Sequence, residues 1–287
     1  ASHGSNGAGA TAGTDAGSAH VIALVGAEWI DEAELTAPDA MAGDLFGAAV
    51  AIDATGTRVL IGAPNDDTSD GTNAGSAHVF VRSGTTWAHE RMLNAPSGFG
   101  QAVALTGTGD RAVVTAFAAT TGGVTQAGAA HVYTRSGAAW APEAILVASD
   151  PGANDFLGSS VAVALDGSRV IVGVASDDTP LGVDAGSARV FARTGSSWTE
   201  EATLLPPSGS GGDAFGWSVA CDSTAGRAVV GAFHATTAGR LEAGAAYVFD
   251  RSGIAWALDA SLVDAVPDVG DNFGDAVALS ADGNRLF

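Results

Sequence analysis

The sequence contains no lysine and a single cysteine, and these two shortages exclude a good deal of chemistry. Without lysine there is no Schiff-base nucleophile, and all twelve basic residues are arginine, set against 32 acidic ones for a formal net charge of −20. Such a field repels phosphate backbones and anionic lipid, so no nucleic-acid partner is expected. The lone Cys221, in the apolar run Trp217-Ser218-Val219-Ala220-Cys221, rules out an internal disulfide framework or a cysteine metal cluster and reads as a buried, inert thiol. No apolar run approaches the ~18 to 20 residues that span a bilayer, so no membrane insertion by this chain is expected. Ala1-Ser2-His3-Gly4-Ser5-Asn6-Gly7 lacks the charged and apolar regions of an export signal. His-Glu-x-x-His, P-loop and Gly-x-Ser-x-Gly patterns are all missing, which points to a protein that is not an enzyme.

What is present is glycine, 40 residues of it, with Ser, Thr and Asp clustered between short apolar runs, as tight turns between short strands require. The chain also repeats. Trp29, Trp87, Trp140, Trp198 and Trp256 are spaced 58, 53, 58 and 58 residues apart. Thirteen residues before each Trp stands an Ala-Gly pair: Ala16-Gly17, Ala74-Gly75, Ala127-Gly128, Ala185-Gly186 and Ala243-Gly244. After each Trp comes Phe46-Gly47, Phe99-Gly100, Leu157-Gly158, Phe215-Gly216 or Phe273-Gly274; the short second interval places a five-residue deletion in the loop around Pro96-Ser97-Gly98.

Each unit reads as four strands, for example Ala48–Ile52, Arg58–Pro64, Ala77–Val81 and the run carrying Trp87, Glu90 and Leu93. The first strand is apolar or small on both alternating sets (Val50, Val103, Val161, Val219, Val277 and Ala51, Ala104, Ala162, Ala220, Ala278), so both faces are expected to be covered. Four-stranded sheets buried on both faces and repeated head to tail are the blades of a β-propeller. The fold expected is therefore all-β, a propeller with five repeat units in one domain over residues 1–287. Either the closing blade is composite, built from N- and C-terminal strands, or the chain is a piece of a longer propeller.

Phe46-Gly47 followed by Gly62-Ala63-Pro64 resembles the FG-GAP repeat, the unit of the integrin α N-terminal propeller, and Ala74-Gly-Ser-Ala-His-Val-Phe80 with Arg82-Ser-Gly and Trp87 is most similar to the bacterial branch. The resemblance covers essentially the whole chain. It implies an extracellular or cell-surface module. The Gly-Ala-Pro element is intact only in that unit, and the calcium loop often found between the first two strands of integrin-like repeats is replaced by short turns such as Asp53-Ala-Thr-Gly-Thr-Arg58.

Candidate metal ligands lie instead after the second strand: Asp66, Asp67 and Asp70 in one unit, and Asp177, Asp178 and Asp184 in another, hard oxygen donors in glycine-containing turns suited to Ca²⁺. Asp and Asn are also ordinary turn formers, so a purely structural role is the competing reading. Asp44, Asp155, Asp213 and Asp271, each two residues before the Phe-Gly position, are expected to bond their own loop backbone. The shared position of His20, His78, His131, Arg189 and Tyr247 reads as a partly exposed strand face. The recurring Arg82, Arg135, Arg193 and Arg251, with Glu32, Glu90, Glu143, Glu201 and Asp259, read as cross-strand pairs worth ~0.2 to 1 kcal/mol. The five Trp read as equivalent buried packing residues. Trp217 differs: its counterparts Ala48, Gln101, Ser159 and Asp275 vary, as positions near a binding surface do. The function expected is a non-enzymatic binding or adhesion module with a protein or glycan ligand, the alternative being a structural spacer or an accessory domain of a larger exported enzyme.

Overall fold

The computed structural model describes residues 14–287, so the N-terminal heptapeptide read above lies outside the described residues. Within them the chain is all-β: eighteen strands and no helix, and thus no helix long and apolar enough to cross a membrane. A two-stranded sheet, β1 (Ala19–Val25) and β2 (Glu28–Leu35), is followed by four antiparallel four-stranded sheets, each a simple meander. These are β3 (Ala49–Ile52), β4 (Arg58–Ala63), β5 (Ser76–Ser83) and β6 (Thr86–Asn94); then β7 (Phe99–Leu105), β8 (Arg111–Ala116), β9 (Ala129–Ser136) and β10 (Ala139–Leu146). The third comprises β11 (Val161–Val163), β12 (Arg169–Val174), β13 (Ser187–Thr194) and β14 (Ser197–Leu204), and the fourth β15 (Ser218–Cys221), β16 (Arg227–Ala232), β17 (Ala245–Ser252) and β18 (Ala255–Leu262). One sequence repeat is one sheet.

The second strands form the core. All six residues of β4 are buried, and β8, β12 and β16 are buried at every position after the first. Two of the repeated sequence landmarks meet there. Gly17, Gly75, Gly128, Gly186 and Gly244 each form a parallel bridge to Phe46, Phe99, Leu157, Phe215 and Phe273 of the next unit. These glycines have positive φ, and a Cβ on Gly17 would fall on the Phe46 carbonyl oxygen. That close approach of two backbones, which only glycine permits, is why Ala-Gly and Phe-Gly recur together.

The arginines and glutamates depart from the expected cross-strand pairing, because they join successive sheets. Glu143 accepts hydrogen bonds from Arg193 Nε (2.6 Å) and Trp198 Nε1 (2.9 Å) of the following sheet, and from Arg111 Nε (2.9 Å) of its own. Glu90 takes Arg135, Trp140 and Arg58 in the same way, and Glu201 takes Arg251, Trp256 and Arg169. Glu32 accepts from Arg82 and Trp87. Each glutamate lies in the middle of the last strand of its sheet, where the next unit's third and fourth strands reach it. The pairs are therefore latches between units, with glutamate side chains only 5 to 8% exposed.

The latch also grades the tryptophans, which the repeat alone made equivalent. Trp140 is buried, Trp87, Trp198 and Trp256 are half-buried, and Trp29 is 70% exposed. The first strands are graded too. Val103 is buried and Val161 half-buried, but Val50 and Ile52 are each 56% exposed, beside an apolar cavity of about 460 Å³ lined by Ala19, Val21, Leu35, Val59 and Ile61 among others. Among the described residues β1 pairs only with β2. The C-terminal segment bridges Leu279 to Leu286 and packs Val277, Leu279 and Leu286 on Val229, Ala246 and Val248 of the last sheet.

Candidate functional site

A four-stranded meander has two ends. At one lie the two tight hairpins and the Arg–Glu–Trp latch. At the other lie the longer loop after each second strand and the loop leading into each first strand. The residues that vary from unit to unit collect at this second end.

Both acidic loops are there, in different sheets, and each divides its acids in the same way. The first turns inward: Asp66 and Asp177 are both 5% exposed. The second holds the loop, since Asp67 Oδ1 accepts from the Asn73 amide (2.8 Å) and Asp178 Oδ1 from the Asp184 amide (2.9 Å). Asp184 itself has φ 53° and shares that left-handed position with Asn73, Gln126 and Glu242. Exposed Asp70 accepts from Asn94 Nδ2 (2.6 Å). Nearby, Asp44, Asp155, Asp213 and Asp271 each accept from the backbone amide three residues earlier (Met41, Gly152, Ser210 and Asp268), as expected for loop-holding acids. Burial pushes the Asp44 and Asp155 carboxyls up, with a further push from Asp66 and Asp177 respectively, so these corners are rich in negative charge.

The two inward acids end in different surroundings. Asp177 Oδ2 accepts from Ser187 Oγ (2.5 Å) and from Arg189 Nη2 (2.7 Å). The buried Arg189 guanidinium also reaches Asp150, Glu200 Oε1 (3.2 Å) and Thr203 Oγ1 (3.0 Å). Burial works against this guanidinium, yet Asp177, Asp150 and Glu200 together hold its pKa above the usual value. In the earlier unit the corresponding residues, 111 positions before, are Asp39, Asp66, His78 and His89. His78 is fully buried rather than on a partly exposed face, with Nε2 2.9 Å from Ser76 Oγ and 3.8 Å from Asp66 Oδ2, and Nδ1 3.1 Å from His89 Nε2. Burial, followed by the neighbouring His78, holds His89 below the ordinary imidazole value. At the same position His20 is exposed, His131 half-buried and Tyr247 buried. Asp39 and His89 went unnoticed in the sequence; the signal that finds them is the 111-residue register from Asp150 and Glu200.

The third feature of this end is aromatic. Trp217 is 45% exposed, tilts over Phe233 at a centroid separation of 4.7 Å, and donates its Nε1 to Asp275 Oδ1 (3.0 Å) of the following unit. Phe233 in turn lies 3.7 Å from the His234 ring, and Phe117 and Phe156 meet at 5.8 Å between two other units. Phe117 and Phe233 occupy the position held by Pro64 in the first complete unit. Cys221 is half-buried on β15 rather than buried, and burial, then Asp222, pushes its thiol up to about 12.

The family model of the FG-GAP repeat matches residues 29–80, 140–191 and 198–249, together more than half of the chain. No curated protein matches. Each matched stretch runs from the repeated tryptophan of one unit through the Phe-Gly position to the third strand of the next, so the match spans the joints described above, and the chain belongs to the FG-GAP repeat family.

Proposed function

We propose that this chain is a β-propeller-like binding module, non-enzymatic and working outside the cell or at its surface, whose sheets are the blades and whose loop end takes a protein or glycan ligand. FG-GAP repeats are typical of integrin-like adhesion and binding modules and of extracellular or surface proteins, which supports the class and the location. The observation that carries the reading is the Trp217–Phe233–Asp275 cluster. A half-exposed indole braced from below by a second ring, and held in orientation by a carboxylate from the next unit, is an apolar platform with a polar rim. Such a platform contributes contact area at little cost in side-chain entropy. It stands where the backbone repeats but the side chains do not, as loops on a rigid scaffold carry recognition.

Glycan and protein arrays probed with the full chain test this reading at low and moderate ionic strength. Specific binding that falls at least tenfold in Trp217→Ala is expected. Arrays with no signal above background at any ionic strength, or binding undiminished by the substitution, would leave the chain as a structural spacer or accessory domain.

A further inference from the structure

Asp66 stands out among the buried carboxylates. It is 5% exposed, and its Oδ2 is a buried side-chain polar atom with no hydrogen-bond partner. A buried carboxylate oxygen left in this state costs more than a neutral group would, and calls for a cation. The equivalent corner 111 residues later has one, the Arg189 guanidinium, gathered by Asp150, Asp177 and Glu200. In two further units the inward acid is absent, Ala119 and Ala235 taking its place, and the cation position holds His131 or Tyr247. In these four units acid and permanent positive charge thus go together except at Asp66, whose neighbouring base is His78, with Nε2 3.8 Å from Oδ2.

We propose that Asp39, Asp66 and His78 bind a divalent transition-metal ion of the zinc class, with His89 as the positioning residue that orients the His78 imidazole. The three residues each offer a ligand atom within 4.8 Å of the others. Bonds of about 2.0 to 2.2 Å to a tetrahedral ion put ligand atoms about 3.3 to 3.6 Å apart, so a closure of roughly 1 Å completes the site. In the tautomer with its hydrogen on Nδ1, His78 would donate to His89 and keep the Nε2 lone pair on the side of Ser76 and Asp66, where the ion replaces the Ser76 Oγ contact; a hydrogen bond of this kind fixes ligand histidines. A mixed imidazole and carboxylate set selects zinc or cobalt over calcium, which prefers oxygen alone. Exposed Asp39 leaves a route in from solvent and a fourth position for water. Because Asp39 lies in the segment between β2 and β3, the ion joins two successive units, as Arg189 does through Asp150.

The full chain, stripped with chelator, is titrated with Zn²⁺ by calorimetry and with Co²⁺ by visible absorption, with Ca²⁺ at the same ionic strength as the comparison arm. One zinc per chain is expected, with the absorption of a tetrahedral cobalt site and a raised thermal midpoint. Asp66→Asn and His78→Gln should weaken zinc at least a hundredfold, and His89→Ala about tenfold with a shifted cobalt spectrum. Should those variants fold poorly, the paired Arg189→His and Glu200→His substitutions provide a gain-of-function test, raising the stoichiometry from one to two. No zinc binding, zinc affinity unchanged in Asp66→Asn, or a response to calcium without one to zinc would each overturn the proposal. These outcomes are independent of the array result at Trp217, which lies in another unit.

Discussion

The two ends of each sheet differ in what they repeat. At the hairpin end Glu90, Glu143 and Glu201 each gather two arginines and a tryptophan, and the same contacts return from unit to unit. At the loop end the backbone bridges return, but one corner holds Arg189, another His78, another Tyr247, and the aromatic cluster is confined to a few units. Identical latches serve assembly, because every sheet needs the same grip on the next. Side chains free to differ within a fixed backbone are where a repeat protein acquires a site of its own.

The largest expected effect of breaking this division is at the latch. Trp198→Ala removes a half-buried indole packed between sheets and the Nε1 bond to Glu143. A loss of ~3 to 5 kcal/mol is expected in equilibrium denaturation, the range of large aromatic truncations. Trp29→Ala, at a counterpart that is 70% exposed, should cost less than ~1 kcal/mol by the same measurement.

Acid sharpens the contrast, because the two ends titrate in opposite senses. Arg82 and then Trp87 lower Glu32 to about 2, and Glu201 is held at about 2 chiefly by Arg251, against burial and with help from Trp256 and Arg169. Glu90 and Glu143 are also lowered: burial raises them, but their arginine and tryptophan partners together outweigh it. These four contribute stability that is present above the ordinary glutamate value of 4.5 and is lost as pH falls toward about 2. Asp44 and Asp155, raised by burial, contribute in the other sense, favouring the fold at low pH and losing that contribution as pH rises through their folded values. The latch dominates, so unfolding midpoints should drop as pH is lowered from about 4.5 to 2, and the drop should shrink in Glu201→Gln.

The smallest effect is expected where a loop acid only holds its backbone. Asp178→Ala removes one bond to the Asp184 amide and should cost about 1 kcal/mol in denaturation.

The sheets were legible because period-2 apolar runs and turn glycines recur at fixed spacing, and Phe-Gly and Ala-Gly marked the joints before their contact was known. Arg82 and Glu32 were legible as a pattern but not as a contact. Spacing along one hairpin cannot tell a neighbour in the same sheet from a neighbour in the next, and the two residues are fifty positions apart. The acidic loops were found, yet Asp66 and Asp177 looked alike in sequence. They differ through Ser76-Ala-His78 against Ser187-Ala-Arg189, an exchange whose meaning depends on both positions being buried. Trp217 stood out by varying, which is the one signal of function a single repeated sequence offers.

The most direct test of the division between the latched end and the proposed binding end is to measure unfolding and ligand binding on the same two variants, Trp198→Ala and Trp217→Ala, beside the parent. The account predicts that Trp198→Ala loses several kcal/mol of stability, while its folded fraction keeps the parent's affinity. Trp217→Ala should unfold within ~0.5 kcal/mol of the parent and lose at least tenfold in binding. A Trp217→Ala protein destabilised as much as Trp198→Ala yet still binding its array ligand as tightly as the parent would contradict it.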